Sequence, residues 1–317
     1  MTTNVQVVIP VYNDWTTLQL LLQKIASLAD SKMIGKLSFI IVNDGSSYLC
    51  NEQLPDLDIQ IVHLRRNLGH QKAIAIGLSI ASKKEGTDFI VVMDADGEDK
   101  PEHILELLQK AVSYPDKIIF AERKKRSEGL YFILFYAIYK FLFKLLTGKT
   151  ISFGNFSIIP SKILAHLVYV TEIWNHFSGG VLHSRIPYAV LPLERGKRLG
   201  GTSKMNFTSL VLHGMSAVSV HVESVAVRIF IACIILILIT FAAISMVTYI
   251  KFFTPYATPG WATSFIFGSL GIIIQSFLIS LFLIFIILNR RTKKNFIPIL
   301  DYEVYVAKIE TISKASI

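Results

Sequence analysis

Cysteine is almost missing from this chain: Cys50 and Cys233 are the two in 317 residues. Two thiols give no disulfide framework, and Cys233 sits inside a long apolar run, so both read as free thiols in a reducing compartment. Acidic residues are short as well, 23 against 32 Lys and Arg, leaving a formal net charge of +9. That balance suits an anionic membrane surface and phosphate-bearing substrates. It would also suit nucleic acid, but no nucleic-acid-binding motif is present, and that partner is set aside. Other absences remove whole classes of chemistry. No Gly-x-x-x-x-Gly-Lys-Ser/Thr phosphate loop occurs, which removes the usual nucleotide hydrolases. Ser46, Ser47 and Ser203 have no histidine–acid pattern nearby, which removes a serine hydrolase. Internal repeats and low-complexity segments are missing too. Met1 to Pro10 lacks a basic start and runs straight into a strand pattern, so no secretory signal is expected.

What is present begins with apolar bulk. The hydrophobic fraction is 52% and the mean hydropathy +0.50, more than a soluble domain usually shows, and the excess is localised. Ile229 to Ile250 and Ala262 to Leu288 contain no charged residue. Each is long enough to cross about 30 Å of hydrocarbon. Arg228 precedes the first run, and Arg290, Arg291, Lys293 and Lys294 follow the second. The connection holds only Lys251, with Tyr249, Tyr256 and Trp261 as interface anchors. The positive-inside rule then places both flanks and the N-terminal domain in the cytoplasm, on a multi-pass protein of the inner membrane. Leu130 to Leu146 is nearly all aromatic or aliphatic, interrupted by Lys140 and Lys144 on one helical face. It is too short to span comfortably and reads as an interfacial helix with snorkelling lysines; a buried core helix is the plain alternative. Phe207 to Val225 resembles a second, weaker interfacial helix. The plan is a cytoplasmic catalytic domain over 1–206 with the interfacial helix at 130–147. A juxtamembrane amphipathic helix follows at 207–225, then two transmembrane helices within 226–289 and a basic cytoplasmic tail over 290–317.

Within the first 200 residues short apolar runs alternate with helical spacing. Val5 to Pro10, Leu37 to Asn43, Ile59 to Leu64, Asp88 to Asp94 and Lys117 to Ala121 read as buried strands. Trp15 to Leu28, Gln71 to Ser82 and Pro101 to Val112 read as helices, the last with proline in its first turn. That order predicts an α/β domain with a mostly parallel, doubly wound sheet, whose ligands bind beyond the carboxyl ends of its strands. Three loops fall there: Val11-Tyr12-Asn13, Asp44-Gly45-Ser46-Ser47 and Asp94-Ala95-Asp96. The last follows Phe89-Ile90-Val91-Val92-Met93, a strand pattern ending in paired carboxylates. Carboxylates so placed suit a hard divalent cation, Mg2+ or Mn2+, which in turn can hold a diphosphate. Helix-capping acids before Pro101 would account for Asp99 but not for two aspartates at a strand end.

Val8-Ile9-Pro10-Val11-Tyr12-Asn13, Val42-Asn43-Asp44-Gly45-Ser46-Ser47 and Arg66-Asn67-Leu68-Gly69-His70-Gln71-Lys72-Ala73 resemble successive motifs of family-2 glycosyltransferases with the GT-A fold. The Asn-x-Gly-His-Gln-x-Ala pattern and the two C-terminal runs narrow the resemblance to bacterial polyprenyl-phosphate glycosyltransferases, relatives of dolichol-phosphate mannose synthase. It covers roughly residues 5 to 290. The resemblance implies that Asp44 contacts the nucleotide base, that Pro10, Tyr12 and Asn13 wall the same pocket, and that His70 lies beside it. Asp94 and Asp96 would hold the metal diphosphate, with Glu98 where relatives often carry a glutamine ligand. The family commonly reads Asp-Ala-Asp-Leu-Gln-Asp-Pro-Pro; here Gly97 loosens the loop and Glu98 adds charge. Arg198, Gly201, Ser203 and Lys204 reproduce the family spacing Arg-x-x-Gly-x-Ser-Lys, and Arg123 and Arg126 follow a strand. Guanidinium forks and mobile lysine charges suit phosphate, so both groups are expected at the donor diphosphate or the lipid phosphate. Lys124 and Lys125 read as a solvated charge run. Trp174 and His176 are candidates for the sugar pocket; the other histidines read as structural.

The implied activity is inverting transfer of a sugar from a nucleotide sugar, a UDP-sugar such as UDP-glucose being nearest the pattern, to a polyprenyl phosphate. Three alternatives stay open: a transferase acting on a sugar hydroxyl, a processive synthase, and a non-catalytic membrane scaffold. The synthase would need more spans and a Gln-x-x-Arg-Trp motif, which is absent. A homo-oligomer is left open.

Overall fold

The computed structural model describes all residues except 1, 49, 51–52, 124–129, 151, 201–206, 255–259, 293–294 and 313–317. Side chains are also left undescribed at 30, 123, 130–136, 207–210, 213 and 291. The elements run β1 (Thr3–Val11), α1 (Trp15–Ala26), β2 (Ile34–Asn43), β3 (Asp58–Leu64), α2 (His70–Ala81), β4 (Phe89–Val92), α3 (His103–Ser113) and β5 (Ile118–Arg123). Next come α4 (Leu130–Thr147), β6 (Phe153–Pro160), α5 (Ser161–Leu167), α6 (Phe177–Ser184), β7 (Tyr188–Leu193) and α7 (Phe207–Ser219). Two long helices, α8 (Val222–Phe253) and α9 (Trp261–Thr292), precede α10 (Pro298–Asp301) and β8 (Val306–Ile312). The chain divides into two compact units: 1–137 with 151–220 and 295–317, and 138–150 with 221–294.

The first unit holds one sheet of eight strands, ordered β7-β5-β6-β4-β1-β2-β3-β8. β4, β1, β2 and β3 are mutually parallel neighbours, as the alternation of strands and helices predicts. Side chains alternate across it with the two-residue period of a strand. Val7 and Ile9 of β1 face the layer containing Leu18, Leu21 and Leu22 of α1 and Leu107 of α3. Val8, between them, faces the layer of α2, with Ile74 and Leu78. α2 is buried along nearly its whole length, and Gly77 is the reason it can sit so close. A Cβ there would lie 2.4 Å from Val8 Cγ1 and 3.0 Å from Val42 Cγ2.

The C-terminal segment departs from the expected basic tail over 290–317. Residues 298–312 return to the sheet, and β8 pairs antiparallel with β3 from Ile59↔Ile312 to Leu64↔Val306. Without β8, β3 would present a row of unpaired backbone groups, and pairing removes that edge. Lys308 and Glu310 alternate with apolar residues, so in the sequence the strand reads as a polar tail. β6 and β7, also unforeseen, extend the other side; β6 is antiparallel to both β4 and β5.

In the second unit α8 and α9 are each long and apolar enough to cross a membrane, with 11% of either apolar window buried. Their mutual contact is built from small residues. Ala226, Cys233, Thr240 and Val247 recur every seven residues on α8 and are buried, as are Ala262, Ser269 and Ser276 on α9. Small side chains let helix backbones approach where lipid gives no hydrophobic drive. Thr240 and Ser280 turn their hydroxyls onto Leu236 O (2.7 Å) and Ser276 O (2.9 Å), which satisfies them within the helix. Large residues such as Leu238, Ile239 and Phe282 face outward, each more than 60% exposed. The described part of α4 in this unit is largely open, with Phe141 66% and Leu145 56% exposed against a buried Phe143, which weighs against the buried-helix alternative there. Arg228 Nη1 donates to Leu145 O at 3.2 Å.

Gly77→Val should destabilise the first unit by about 1–3 kcal/mol, the usual cost of overpacking a tight core. Thermal or urea unfolding of the purified protein reads this directly; an unchanged midpoint would contradict the close approach of α2 to β1 and β2.

Candidate active site

Three loops meet at the carboxyl edge of the parallel strands. Asp44, at the end of β2, is 3% exposed. Its carboxylate accepts the backbone N–H of Leu68 at 2.7 Å and of Gly69 at 2.9 Å, tying this loop to the start of α2. Burial raises its pKa above the ordinary value, a push that outweighs those two amides and the charges of His70 and Lys72. Gly45, with φ of +67°, packs where a Cβ would stand 2.5 Å from the Asn67 amide nitrogen, so no larger residue fits between the loops. Beside it Asn13, at φ of +50°, donates its backbone N–H to Ser46 Oγ (2.9 Å) and accepts the Ser47 N–H on Oδ1 (2.8 Å). Pro10 is buried under these loops, while Tyr12 stands 42% exposed.

The clasp through Asp44 sets His70 at the first position of α2, facing the loop after β4. His70 Nε2 lies 3.1 Å from Asp94 Oδ1 and 3.0 Å from Asn155 Nδ2. Burial favours the neutral ring, but the charge and hydrogen bond of Asp94, with the charges of Asp44 and Asp96, outweigh it and raise the imidazole pKa. Asp96 accepts the Glu98 N–H on Oδ1 at 3.0 Å. Its Oδ2 lies 3.4 Å from Arg198 Nη1, while Arg198 Nη2 pairs with Asp14 Oδ2 at 2.6 Å. Residues 196–199 form a strap across the carboxylate loop: Leu199 N–H donates to Asp96 O (3.0 Å) and Gly196 N–H to Glu98 O (2.7 Å). Gly97 has φ of +75°, and a Cβ there would lie 2.4 Å from Leu199 Cγ. The glycine is therefore a requirement of the strap, more than a loosening of the loop.

The structure thus brings Asp94, Asp96, His70 and Arg198 together, with Asp44 and Asn13 bracing the adjoining loops. Glu98 pairs with Arg195, and among the described residues no three carboxylate, imidazole or thiol groups converge as a metal site. The three-ligand set of Asp94, Asp96 and Glu98 is not assembled. Asp94 and Asp96 still offer hard oxygen donors on one loop, which fits a divalent cation completed by diphosphate oxygens. Arg123 ends β5. Arg126 and Lys204, with Gly201 and Ser203, lie outside the described residues. Trp174 and His176 do not line a sugar pocket. Trp174 is buried with its ring centroid 4.0 Å from that of Phe296 and tilted 33° to it, and His176 Nδ1 caps α6 by accepting the Gly179 N–H at 3.0 Å. Sequence reasoning missed Asp14, Arg195 and Asn155. Asp14 alone had a signal, its place beside Asn13 in a loop already singled out.

A mixed α/β sheet with ordered carboxylate loops on its carboxyl edge is the GT-A-type architecture of nucleotide-sugar transferases. Residues 6–163 match Glycosyl transferase family 2, and the chain is a glycosyltransferase of that family. Among similar proteins, YkcC of Bacillus subtilis (strain 168) is 27% identical over 81% of this chain and 80% of its own length. The undecaprenyl-phosphate 4-deoxy-4-formamido-L-arabinose transferase of Pectobacterium carotovorum subsp. carotovorum (strain PC1) is 29% identical over 66% of this chain. This chain spans 64% of that relative's length. The enzyme of the same name from Salmonella paratyphi B (strain ATCC BAA-1250 / SPB7) is 32% identical over 65% of this chain and 64% of its own. Among solved structures, glucosyl-3-phosphoglycerate synthase from Mycobacterium tuberculosis, in complex with Mn2+, UDP and glucosyl-3-phosphoglycerate, superposes with a TM-score of 0.47. Its identity is 14%, over 70% of this chain and 80% of that one.

Gly97→Ala should leave the protein folded yet cut sugar transfer about tenfold or more, because the left-handed backbone costs roughly 1–2 kcal/mol and Leu199 blocks the added methyl. Adding Leu199→Ala should recover the steric part only. A single variant with wild-type transfer rates would show that the strap does not set the loop.

Proposed function

We propose that this protein moves a sugar from a nucleotide sugar to a polyprenyl phosphate at the cytoplasmic face of a membrane, with inversion at the anomeric carbon. The observation that carries this reading is the meeting of Asp94, Asp96, His70 and Arg198 at the carboxyl edge of the sheet. Carboxylates to gather a cation, and cations to meet phosphate, occupy one loop cluster. The acceptor is supported by the relatives whose names carry undecaprenyl phosphate and by the exposed apolar faces of α4, α8 and α9. The proposed donor is a UDP-sugar such as UDP-glucose. Tyr12 offers a ring face to the base, and Asp44 shapes the pocket through the loop that it holds.

In the proposed reaction a phosphate oxygen of the lipid forms a bond to the anomeric carbon as the bond to the nucleoside diphosphate breaks. Mg2+ or Mn2+ held by Asp94 and Asp96 would supply charge neutralisation for the leaving diphosphate. Arg198, now paired with Asp96 and Asp14, can exchange those carboxylates for phosphate oxygens with its planar fork. His70 stands beside Asp94, its Nε2 3.1 Å from Asp94 Oδ1, where it can orient that carboxylate. Arg123, Arg126 and Lys204 are proposed for the same phosphate chemistry. Because a phosphate acceptor is already ionised near neutral pH, the site has to position it and needs no general base; a sugar hydroxyl would need one.

The test is a donor screen with purified protein, polyprenyl phosphate, Mg2+ or Mn2+, and a panel of UDP- and GDP-sugars, with lipid products read by mass spectrometry. Transfer to a glycan hydroxyl and not to lipid phosphate would replace the acceptor; no nucleotide binding at all would point to a scaffold. Asp96→Asn keeps the side-chain shape and removes its charge, so turnover should fall about 100-fold, some 2.7 kcal/mol, with the melting temperature unchanged. Near-normal turnover under saturating Mg2+ and Mn2+ would sink the metal assignment.

The proposed orientation has its own check. A membrane-impermeant thiol label should reach a cysteine introduced at Trp261 in intact cells, and should not reach one introduced at Ser47. Labelling at Ser47 from outside would overturn the cytoplasmic placement.

A further inference from the structure

We infer that a hydrogen-bonded chain from the C-terminal strand, Glu310–His63–Asn43–Ser46, fixes the nucleotide loop and makes His63 a positioning residue for donor binding. This rests on the reading above that residues 44–47 serve the nucleotide. Asn43 Oδ1 accepts the Ser46 N–H at 3.0 Å, and Asn43 Nδ2 lies 3.1 Å from His63 Nδ1. His63 Nε2 lies 3.1 Å from Glu310 Oε2. The direction of every bond follows from the first. Only an acceptor can meet the Ser46 N–H, so the Asn43 amide nitrogen must face His63. Nδ1 must then be the bare acceptor, and Nε2 carries the hydrogen that Glu310 accepts. One tautomer of one ring satisfies all three links.

The chain also connects parts that the sequence keeps far apart. His63 is the register partner of Asn43 across β2 and β3, and Glu310 on β8 sits opposite Ile61, diagonal to His63. Beyond Ser46, whose Oγ accepts the Asn13 N–H, the bonds reach the loop after β1. A side chain that only filled space could be replaced by any of similar volume. His63 has to accept on one edge and donate on the other, and its side chain is 19% exposed, so water is a poor substitute.

The experiment uses the full-length protein with His63→Leu, His63→Gln and Glu310→Ala. Glutamine retains one acceptor and one donor at similar reach; leucine retains neither. His63→Leu should raise the KM for the nucleotide sugar about tenfold, the scale of one lost hydrogen bond in a partly buried chain. Its kcat and its KM for polyprenyl phosphate should stay within about twofold. Hydrogen exchange at the Ser46 and Ser47 amides should quicken by a similar factor. His63→Gln should restore both readouts, and Glu310→Ala should move them the same way by less. If His63→Leu does not fold, Glu310→Ala on the exposed edge strand decides alone. A donor KM within twofold of wild type in folded His63→Leu, or kcat and both KM values shifting together, overturns the inference. Should the wild-type protein bind no nucleotide, the proposed function falls, and the chain then stands or falls on amide exchange, with an unchanged rate in His63→Leu removing it.

Discussion

Asp44 accepts the amides of Leu68 and Gly69, and the layout of the whole carboxyl edge follows from that clasp. A carboxylate oxygen pair receiving two backbone N–H groups satisfies both of its oxygens in one turn of chain. Its burial works against them, so the clasp holds only while both amides stay in place. They are held by Gly45, which lets the loop after β2 lie against residues 66 and 67 without a side chain between them. α2 then starts where His70 faces Asp94, and Gly77 allows the remainder of the helix to settle on Val8 and Val42. The loop after β2, the histidine and the carboxylate loop are in this sense one construction.

Charge within the site is partly paired internally. The chain is basic overall, yet its carboxyl-edge loops gather Asp14, Asp94, Asp96 and Glu98, and Arg195 and Arg198, at and next to the strap, supply counter-charges. Arg198 holds two carboxylates while also donating Nε–H to Gly200 O at 2.8 Å, which fixes the plane of its guanidinium. A group held in this way is preorganised, since its fork keeps one orientation without further ordering. The second unit is built on a different balance. Its helices meet through alanine, serine, threonine and cysteine and spend their large side chains outward, the reverse of a water-soluble core.

Much of this was legible in the residues themselves. Five strands and three helices of the first unit fall within a few residues of the spans read from apolar runs and helical spacing, because central parallel strands are buried on both faces. β6, β7 and β8 were not foreseen. β7 and β8 lie at the sheet's two edges, where one side stays wet, so β8 interleaves Lys308 and Glu310 with apolar residues and passes for a tail. That Asp94, Asp96 and His70 fall together beyond strand ends was legible from the loop motifs; their roles are part of the proposal. Trp174 and His176 were misjudged, since an aromatic near a histidine looks the same in sequence whether it faces a sugar or fills a core.

The sequence by itself determined the layers: where strands end, which loops reach the carboxyl edge, and which runs lack the charge to stay in water. These depend on near neighbours and on period, which the chain carries wherever it goes. The tertiary structure alone decided the pairings. Arg198 meets Asp14 across 184 positions, and Glu310 reaches His63 across 247. Hydrogen bonds and ion pairs act over about 3 Å, and only the folded sheet brings such distant residues within that range.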